Sequence, residues 1–285
     1  NSYLRYQSQP QEVCFSDGDS LMQNQQRDEK RFYTTNDIQM AYYSGPSELS
    51  LTAGFKLETN RIRSSMNEVP EFLKDSVTSS QWNYLEAGVF VRPSYVFKGK
   101  GYNINLTVPL IWQKTDAEKQ GSDKQSFHHF VWTPSLRFYW KFHHFWEFMA
   151  MGSYKHSPTS YMNLNDTYYY KNRNLLQRGI DELGMDKQTQ SSLNLYYRNP
   201  FHAFWSRLNI IYTQNESDLI SGYDFVGTQP IYTWQMANRS YKQFSIRGNV
   251  GKIVDAIQTN LDVSIGYSHT LYTQYQQNAL RDTRN

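Results

Sequence analysis

The chain has 285 residues, of which 39% are hydrophobic, 19% charged and 16% aromatic, and its mean hydropathy is −0.74. No stretch approaches the roughly 18 consecutive apolar residues of a membrane-spanning helix, which excludes a helical membrane protein. The net charge of +3 is evenly spread and excludes a basic stripe for nucleic acid. Many aromatics at low hydropathy disfavour disorder and are compatible with a transmembrane β-barrel, in which only alternate residues face lipid.

Alternation of apolar and polar residues is the dominant pattern along the chain. Residues 102–110 place Tyr102, Ile104 and Leu106 on one face and Asn103 on the other. Residues 49–58 and 261–268 alternate in the same way. These stretches reach the roughly nine to eleven residues that a tilted membrane strand needs, which predicts transmembrane β-strands.

The strands are predicted to form five hairpins with short turns. The pairs are 36–44 with 48–63, 82–98 with 101–114, 129–141 with 145–156, 189–198 with 203–214, and 239–251 with 256–270. The connections between hairpins are long and polar. Short turns at one end and long loops at the other are typical of bacterial outer-membrane barrels and less typical of a soluble β-sandwich. The sequence therefore predicts an all-β, antiparallel transmembrane β-barrel with at least ten strands.

The longest connection and the chain ends complete the predicted organisation. Loop 157–188 contains Tyr168, Tyr169 and Tyr170, and it is expected to be an external loop over the barrel mouth that contacts ligand. Residues 1–30 are expected to be a partial strand and an external loop, and residues 271–285 an external loop. Because a barrel cannot leave strand edges bare in lipid, we expect residues 1–285 to be a single segment of a larger barrel, without a plug domain.

Four arginines are predicted to face the lumen at a similar height. Arg92 and Arg207 lie about six residues from their turns, and Arg137 and Arg247 about five, each on the polar face of its strand. Three acidic residues share this face: Glu58, Glu86 and Asp262. Such a belt suits contact with a polar plug or with an anionic ligand, but it also fits an ordinary hydrated barrel interior.

Other chemistry receives less support from the residues. The aromatics near the turns are expected to form a girdle at the lipid headgroups: Tyr42, Tyr43, Tyr95, Phe97, Phe138, Trp140, Trp146, Tyr197 and Phe204. Because successive residues of a strand point to opposite faces, His129 is predicted on the inward face and His156 on the outward face. The two cannot easily share an ion, so we expect no metal site. No nucleophile elbow, phosphate-binding loop or paired-cysteine motif is present, so we expect neither catalytic residues nor a cofactor.

The sequence pattern of residues 31–275 resembles that of the barrel of a TonB-dependent transporter of the Bacteroidota type. The resemblance rests on TPSLRFYWKF at 133–142, FWEFMAMGSY at 145–154, Ser157-Pro158, YKNRNLLQRG at 170–179, NLYYRNPF at 194–201 and RSYKQFSIRG at 239–248. It implies a barrel of about 22 strands that encloses a plug domain.

The resemblance also implies a function and partners. The chain would form the wall and loops of a nutrient-uptake receptor in the bacterial outer membrane, surrounded by lipid. It would work with a plug, with TonB and with a possible surface lipoprotein, on a small-molecule, glycan or peptide ligand and not on nucleic acid. Two alternatives stay open: a self-contained outer-membrane barrel enzyme of protease or lipase type or passive porin, and a soluble or surface β-rich binding module.

Overall fold

The computed structural model describes residues 2–14, 22–66, 79–121, 124–159, 168–172, 175–180, 184–226, 229–254, 257–276 and 279–284. These residues form one large, almost entirely antiparallel sheet of sixteen strand segments, and a single short 3-10 helix at Pro200–His202. No helix within these ranges has the length and apolar character needed to cross a membrane.

The strand segments follow one another with few interruptions. The first eight are β1 (Ser2–Cys14), β2 (Met22–Ser44), β3 (Ser47–Met66), β4 (Ser79–Lys98), β5 (Tyr102–Thr107), β6 (Leu110–Lys119), β7 (Gln125–Trp132) and β8 (Ser135–His143). The second eight are β9 (Trp146–Pro158), β10 (Tyr168–Asn172), β11 (Leu175–Arg178), β12 (Met185–Asn199), β13 (Phe204–Val226), β14 (Gln229–Val254), β15 (Thr259–Gln276) and β16 (Ala279–Arg284).

All five predicted hairpins are present, and four of their short turns lie where the sequence places them. In the fifth, pairing continues to Val254 with Thr259, three residues beyond the predicted strand end at 251. The hairpins are β2–β3, β4 with β5 and β6, β7 and β8 with β9, β12–β13, and β14–β15. Local chemistry explains the turns. Gly45 adopts a positive φ of 55°, and Asn199 accepts backbone hydrogen bonds from Phe201 and His202 beside Pro200.

Two long strands are each interrupted by a proline without losing register. β5 and β6 pair with β4 in the same register on both sides of Pro109, and β7 and β8 keep theirs on both sides of Pro134. A proline has no N–H to donate to the ladder, but its carbonyl still accepts. Thr133 N donates to Pro109 O at 3.1 Å, and Tyr154 N donates to Pro134 O at 2.9 Å. Each pair of segments is therefore one spanning strand.

The structure differs from the predicted boundaries at both ends of the chain. Residues 9–14 and 22–30, expected as loop, continue the β1–β2 ladder, which is paired from Ser2 with Thr34 to Cys14 with Met22. Within 271–285, also expected as loop, β15 runs on to Gln276 and pairs with β16. Outside a hydrophobic layer both strand faces meet water, so polar residues extend the hairpins without the alternation that predicts strands.

The two faces of the sheet differ in polarity. The outward face carries exposed apolar side chains, for example Leu49, Leu51 and Phe55 on β3, and Val263 and Ile265 on β15, of which Ile265 is 76% exposed. The inward face carries the intervening polar residues, such as Thr52 opposite Arg92. Exposed apolar side chains in rows across neighbouring strands form the surface that a barrel presents to lipid.

The loop segment 157–188 contributes a hairpin of its own. β10 pairs with β11, β11 pairs in parallel with residues 231–233 of β14, and β10 approaches β3. Leu176 at the centre of this hairpin is fully buried, as are Leu219 and Ile220 at the far end of β13. Buried apolar side chains therefore lie at the end of the sheet opposite the short turns.

Candidate site on the lumen face

A cluster of polar side chains occupies the inward face of β12, β13 and β14. Arg207 Nη2 donates to Asn194 Oδ1 at 3.4 Å, and Asn209 Nδ2 donates to the same oxygen at 2.6 Å. The Arg207 guanidinium also lies over the Tyr196 ring, 5.0 Å from its centroid. These contacts hold the Arg207 guanidinium against the barrel wall. Its positive charge is not paired with a carboxylate in these contacts, so it can attract an anionic partner.

A cavity of about 740 Å³ opens beside this cluster, near the short turns. Its inward-facing lining includes the cations Lys141, Arg198 and Arg207 and one acid, Glu147, which lies 3.9 Å from Lys141. Cations therefore outnumber acids on this part of the lumen surface. A surface of this kind attracts carboxylates or phosphates and binds them through charge-assisted hydrogen bonds.

The four arginines named from the sequence all lie on inward-facing strand positions. Arg207 and Arg247 are close neighbours across β13 and β14, because Arg207 pairs with Asn249 and Arg247 with Asn209. Arg137 borders a separate recess of about 320 Å³, and Arg92 lies 5.7 Å from the centroid of the Phe90 ring. The four arginines lie between three and seven residues from the turn-side ends of their strands.

A second network crosses the inward face from β2 to β6. Lys56 Nζ contacts Glu86 Oε1 at 2.5 Å and Gln113 Oε1 at 2.8 Å, and Arg31 Nε lies 2.8 Å from Glu58 Oε1. The sequence pointed to Glu58 and Glu86 but missed Lys56 and Arg31. The signal was available, because Lys56 and Arg31 share strand parity with these acids, and neighbouring strands bring opposite charges together across the ladder.

The remaining acid of the predicted inward set lies on β15. Asp262 sits opposite Gly251 of β14, and Asn260 Nδ2 donates to Asp262 Oδ2 at 3.0 Å. It is therefore remote from the network of β2 to β6. The predicted acids form two separate groups and not one belt.

The three tyrosines of the predicted external contact all lie on β10. Tyr168 pairs with Arg178 of β11, and the Arg178 guanidinium lies 5.3 Å from the centroid of the Tyr168 ring. Tyr169 and Tyr170 are opposite Gln177 and Leu176, and their side chains are outside the described residues. Tyr168 is thus engaged within the loop hairpin, which extends from β14 toward β3.

The histidines are divided between the two faces of the sheet, as parity predicts. His129 is opposite Gln113 on the inward face, and His156 is opposite Trp132 and Lys187 on the outward face. In the part of the chain that the structure describes, no three His, Cys, Asp or Glu side chains are grouped closely enough to hold a metal ion.

Comparison with known proteins identifies the fold and leaves the sequence family open. No protein-family model matches the chain, and no curated protein matches it in sequence. Among solved structures, the copper transporter OprC matches with a TM-score of 0.65 and 11% identity, covering 94% of this chain and 43% of that one. FpvAI in its complex with pyocin S2 matches with a TM-score of 0.52 and 9% identity, covering 99% of this chain and 38% of the other.

These matches define the class of the protein. The fold is that of a bacterial outer-membrane β-barrel, which confirms the all-β transmembrane architecture expected from the sequence. The chain spans less than half the length of each of these two solved structures.

Proposed function

We propose that this chain is part of the barrel wall of a TonB-dependent transporter of the outer membrane, of the Bacteroidota type, which takes up a nutrient. The observation that carries the proposal is the superposition on the copper transporter OprC over 94% of the chain. The match to a transporter favours uptake over catalysis. In such a protein a barrel of about 22 strands encloses a plug.

The lumen face supports a docking role within this proposal. The cavity lined by Lys141, Arg198 and Arg207 presents cations to the interior, and a plug with acidic or carbonyl groups would bind there. Arg92, Arg137 and Arg247 extend the same inward face around the wall. Direct contact of these arginines with an anionic ligand is the alternative role, and the two roles differ in whether the plug is needed.

The loop hairpin supports a role in ligand capture. β10 and β11 extend from β14 toward β3 at the end of the sheet opposite the short turns, where external loops lie in this class of barrel. Tyr168, Tyr169 and Tyr170 would meet a small-molecule, glycan or peptide ligand there. A surface lipoprotein would cover the same end.

Energy-dependent uptake provides the direct test. In the native host, strains lacking either the complete gene or TonB would be compared for depletion of a panel of labelled glycans, peptides and metal chelates from the medium. We expect the gene deletion to abolish uptake of one class and the TonB deletion to abolish uptake of the same class. Uptake that needs the gene but proceeds without TonB would contradict the proposal and favour a passive porin.

Plug docking is tested separately in the complete protein. Arg207→Gln combined with Lys141→Gln removes two cavity cations, and Lys242→Gln removes an outward-facing lysine as the matched control. We expect the double variant to admit current in planar bilayers, because a loosened plug opens the lumen, and the control to stay closed. Equal, low conductance in both variants would show that these cations do not hold the plug.

A further inference from the structure

A groove of about 650 Å³ lies on the outward face of β3, β4, β6 and β7, near the middle of β3 and β4. Its lining is overwhelmingly apolar and includes Phe55, Ala87, Val89 and the ring pair Trp112 and Phe130. Ala87 and the neighbouring Gly88 form the floor of the groove, and Val89 and Trp112 are 58% and 51% exposed. A groove with small residues at its floor and large ones at its sides accommodates a flexible hydrocarbon chain.

A lysine and a histidine stand directly above this groove. Lys114 and His128 are cross-strand partners, two residues beyond the pair Trp112 and Phe130 on the same outward face. Two residues correspond to about 6.6 Å along a strand. The rings of Trp112 and Phe130, with centroids 5.2 Å apart, mark the level at which aromatics meet lipid headgroups. Lys114 and His128 therefore lie at the level of the headgroups themselves.

We propose that this groove binds a phosphorylated lipid of the outer leaflet, with an acyl chain over Ala87 and the phosphate between Lys114 and His128. Charge complementarity selects this occupant, because the apolar groove matches the acyl chain, and the lysine charge with the histidine N–H donor beside it matches the phosphate. An uncharged lipid would fill the groove but would offer no phosphate to Lys114 and His128. The site is independent of transport, since all of these side chains face away from the lumen.

Asp116 is expected to weaken the binding of a phosphate at Lys114. It lies on the same outward face, where its Oδ2 is 3.2 Å from Lys114 Nζ and 3.0 Å from Lys124 Nζ, and Ser126 Oγ donates to its Oδ1 at 2.6 Å. The carboxylate competes with a lipid phosphate for Lys114. Neutralising Asp116 should therefore strengthen lipid binding, whereas replacing Lys114 and His128 should weaken it.

Native mass spectrometry of the complete protein in detergent micelles tests the site, with diphosphoryl lipid A as the probe and its dephosphorylated form as the comparison. Lys114→Gln combined with His128→Gln should lower the affinity for diphosphoryl lipid A about fivefold or more, since the charge of one lysine near an anionic lipid contributes about 1 kcal/mol. Asp116→Asn should raise it. The dephosphorylated lipid should bind all variants alike.

Lys242→Gln is the matched control. Lys242 also faces outward two residues beyond an aromatic, Phe244, but its direct cross-strand partners are Gln214 and Leu271, and the histidine of β15, His269, is opposite Phe244 and not opposite Lys242. This variant should bind the probe as the parent protein does. Equal losses in Lys242→Gln and in the double variant would overturn the proposal, because binding would then follow net charge alone. A loss in Asp116→Asn would also overturn it, and the gain expected there cannot arise from misfolding.

Discussion

The Trp205 ring packs against Gly251, its cross-strand partner on the inward face of β13 and β14. A Cβ atom at position 251 would overlap the indole ring. Phe90 and Gly54 repeat this relationship between β4 and β3. In both pairs the glycine leaves space that an aromatic ring fills, which covers the exposed glycine backbone and fixes the register of the two strands.

Gly251→Ala is therefore expected to destabilise the barrel by about 1–3 kcal/mol, because the indole must leave a packed position. Gly152→Ala is the matched control, since a Cβ there meets nothing within 4 Å. Urea unfolding in detergent, followed by Trp fluorescence and by gel mobility without heating, measures the difference. Equal stability of the two variants would show that the ring and the glycine are not coupled.

The ion pair between Lys56 and Glu86 is expected to contribute measurably to stability. Both side chains are mostly buried, and Lys56 also donates to Gln113, so removal of either partner leaves a poorly solvated polar group. Glu86→Gln and Lys56→Met should each cost about 1–2 kcal/mol, and the double variant should cost less than their sum. A double-mutant cycle on the free energy of unfolding gives the coupling. Strict additivity would mean that the pair contributes nothing.

Asp116 is expected to make the β6–β7 hairpin sensitive to acid. It lies beyond Trp112, away from the turn side, and the hydrogen bond from Ser126 and the two lysines lower the pKa of its carboxyl from 3.8 to about 2. Because the folded pKa lies below the unfolded one, the stabilisation is complete above pH 3.8 and is lost as the pH falls toward 2. The protection factors of amides 114–119 against hydrogen exchange should fall in this window.

Asp116→Asn is the control for this titration, because the amide cannot be protonated in that range. Its protection factors in the hairpin should be lower than in the parent above pH 3.8 and should change little between that pH and 2. An identical acid response in Asp116→Asn and in the parent would assign the effect to other carboxylates.

Pro109 is expected to limit the stability of its own strand. Its ring leaves Thr133, its partner across the ladder, without the return hydrogen bond of a regular antiparallel pair. Pro109→Ala supplies the missing N–H and should raise the free energy of unfolding by about 0.5–1 kcal/mol. Pro200→Ala, at the start of the 3-10 helix where no donor is needed, should not stabilise. A gain in both variants, or in neither, would contradict this account.

The parts of the fold that alternation controls could be predicted from the sequence, and the rest could not. The five hairpins follow from apolar residues at every second position and from turn residues such as Gly45 and Pro200. The β10–β11 hairpin did not, because YKNRNLLQRG at 170–179 has no period-two pattern. Its strands form through pairing with β14, which is 50 or more residues distant in sequence.

The candidate site was predictable only in part for a related reason. Parity indicates which residues face inward, and it placed all four arginines on the inward face. The alternation of residues does not indicate which side chains of neighbouring strands contact each other, because those contacts depend on the register between the strands. Lys56 and Glu86 are diagonal neighbours across β3 and β4, and the groove below Lys114 and His128 needs four strands to form.

A lipid-accessibility scan along β15 tests the central claim, that one face of this sheet meets lipid and the other faces a polar lumen. Single cysteines at positions 262–268 of the complete protein, in a Cys14→Ser background, would carry a fluorophore in liposomes of brominated lipid. The account predicts quenching at 263, 265 and 267 that is about threefold stronger than at 262, 264, 266 and 268, since alternate residues face lipid. Uniform quenching, or stronger quenching at the even positions, would contradict it.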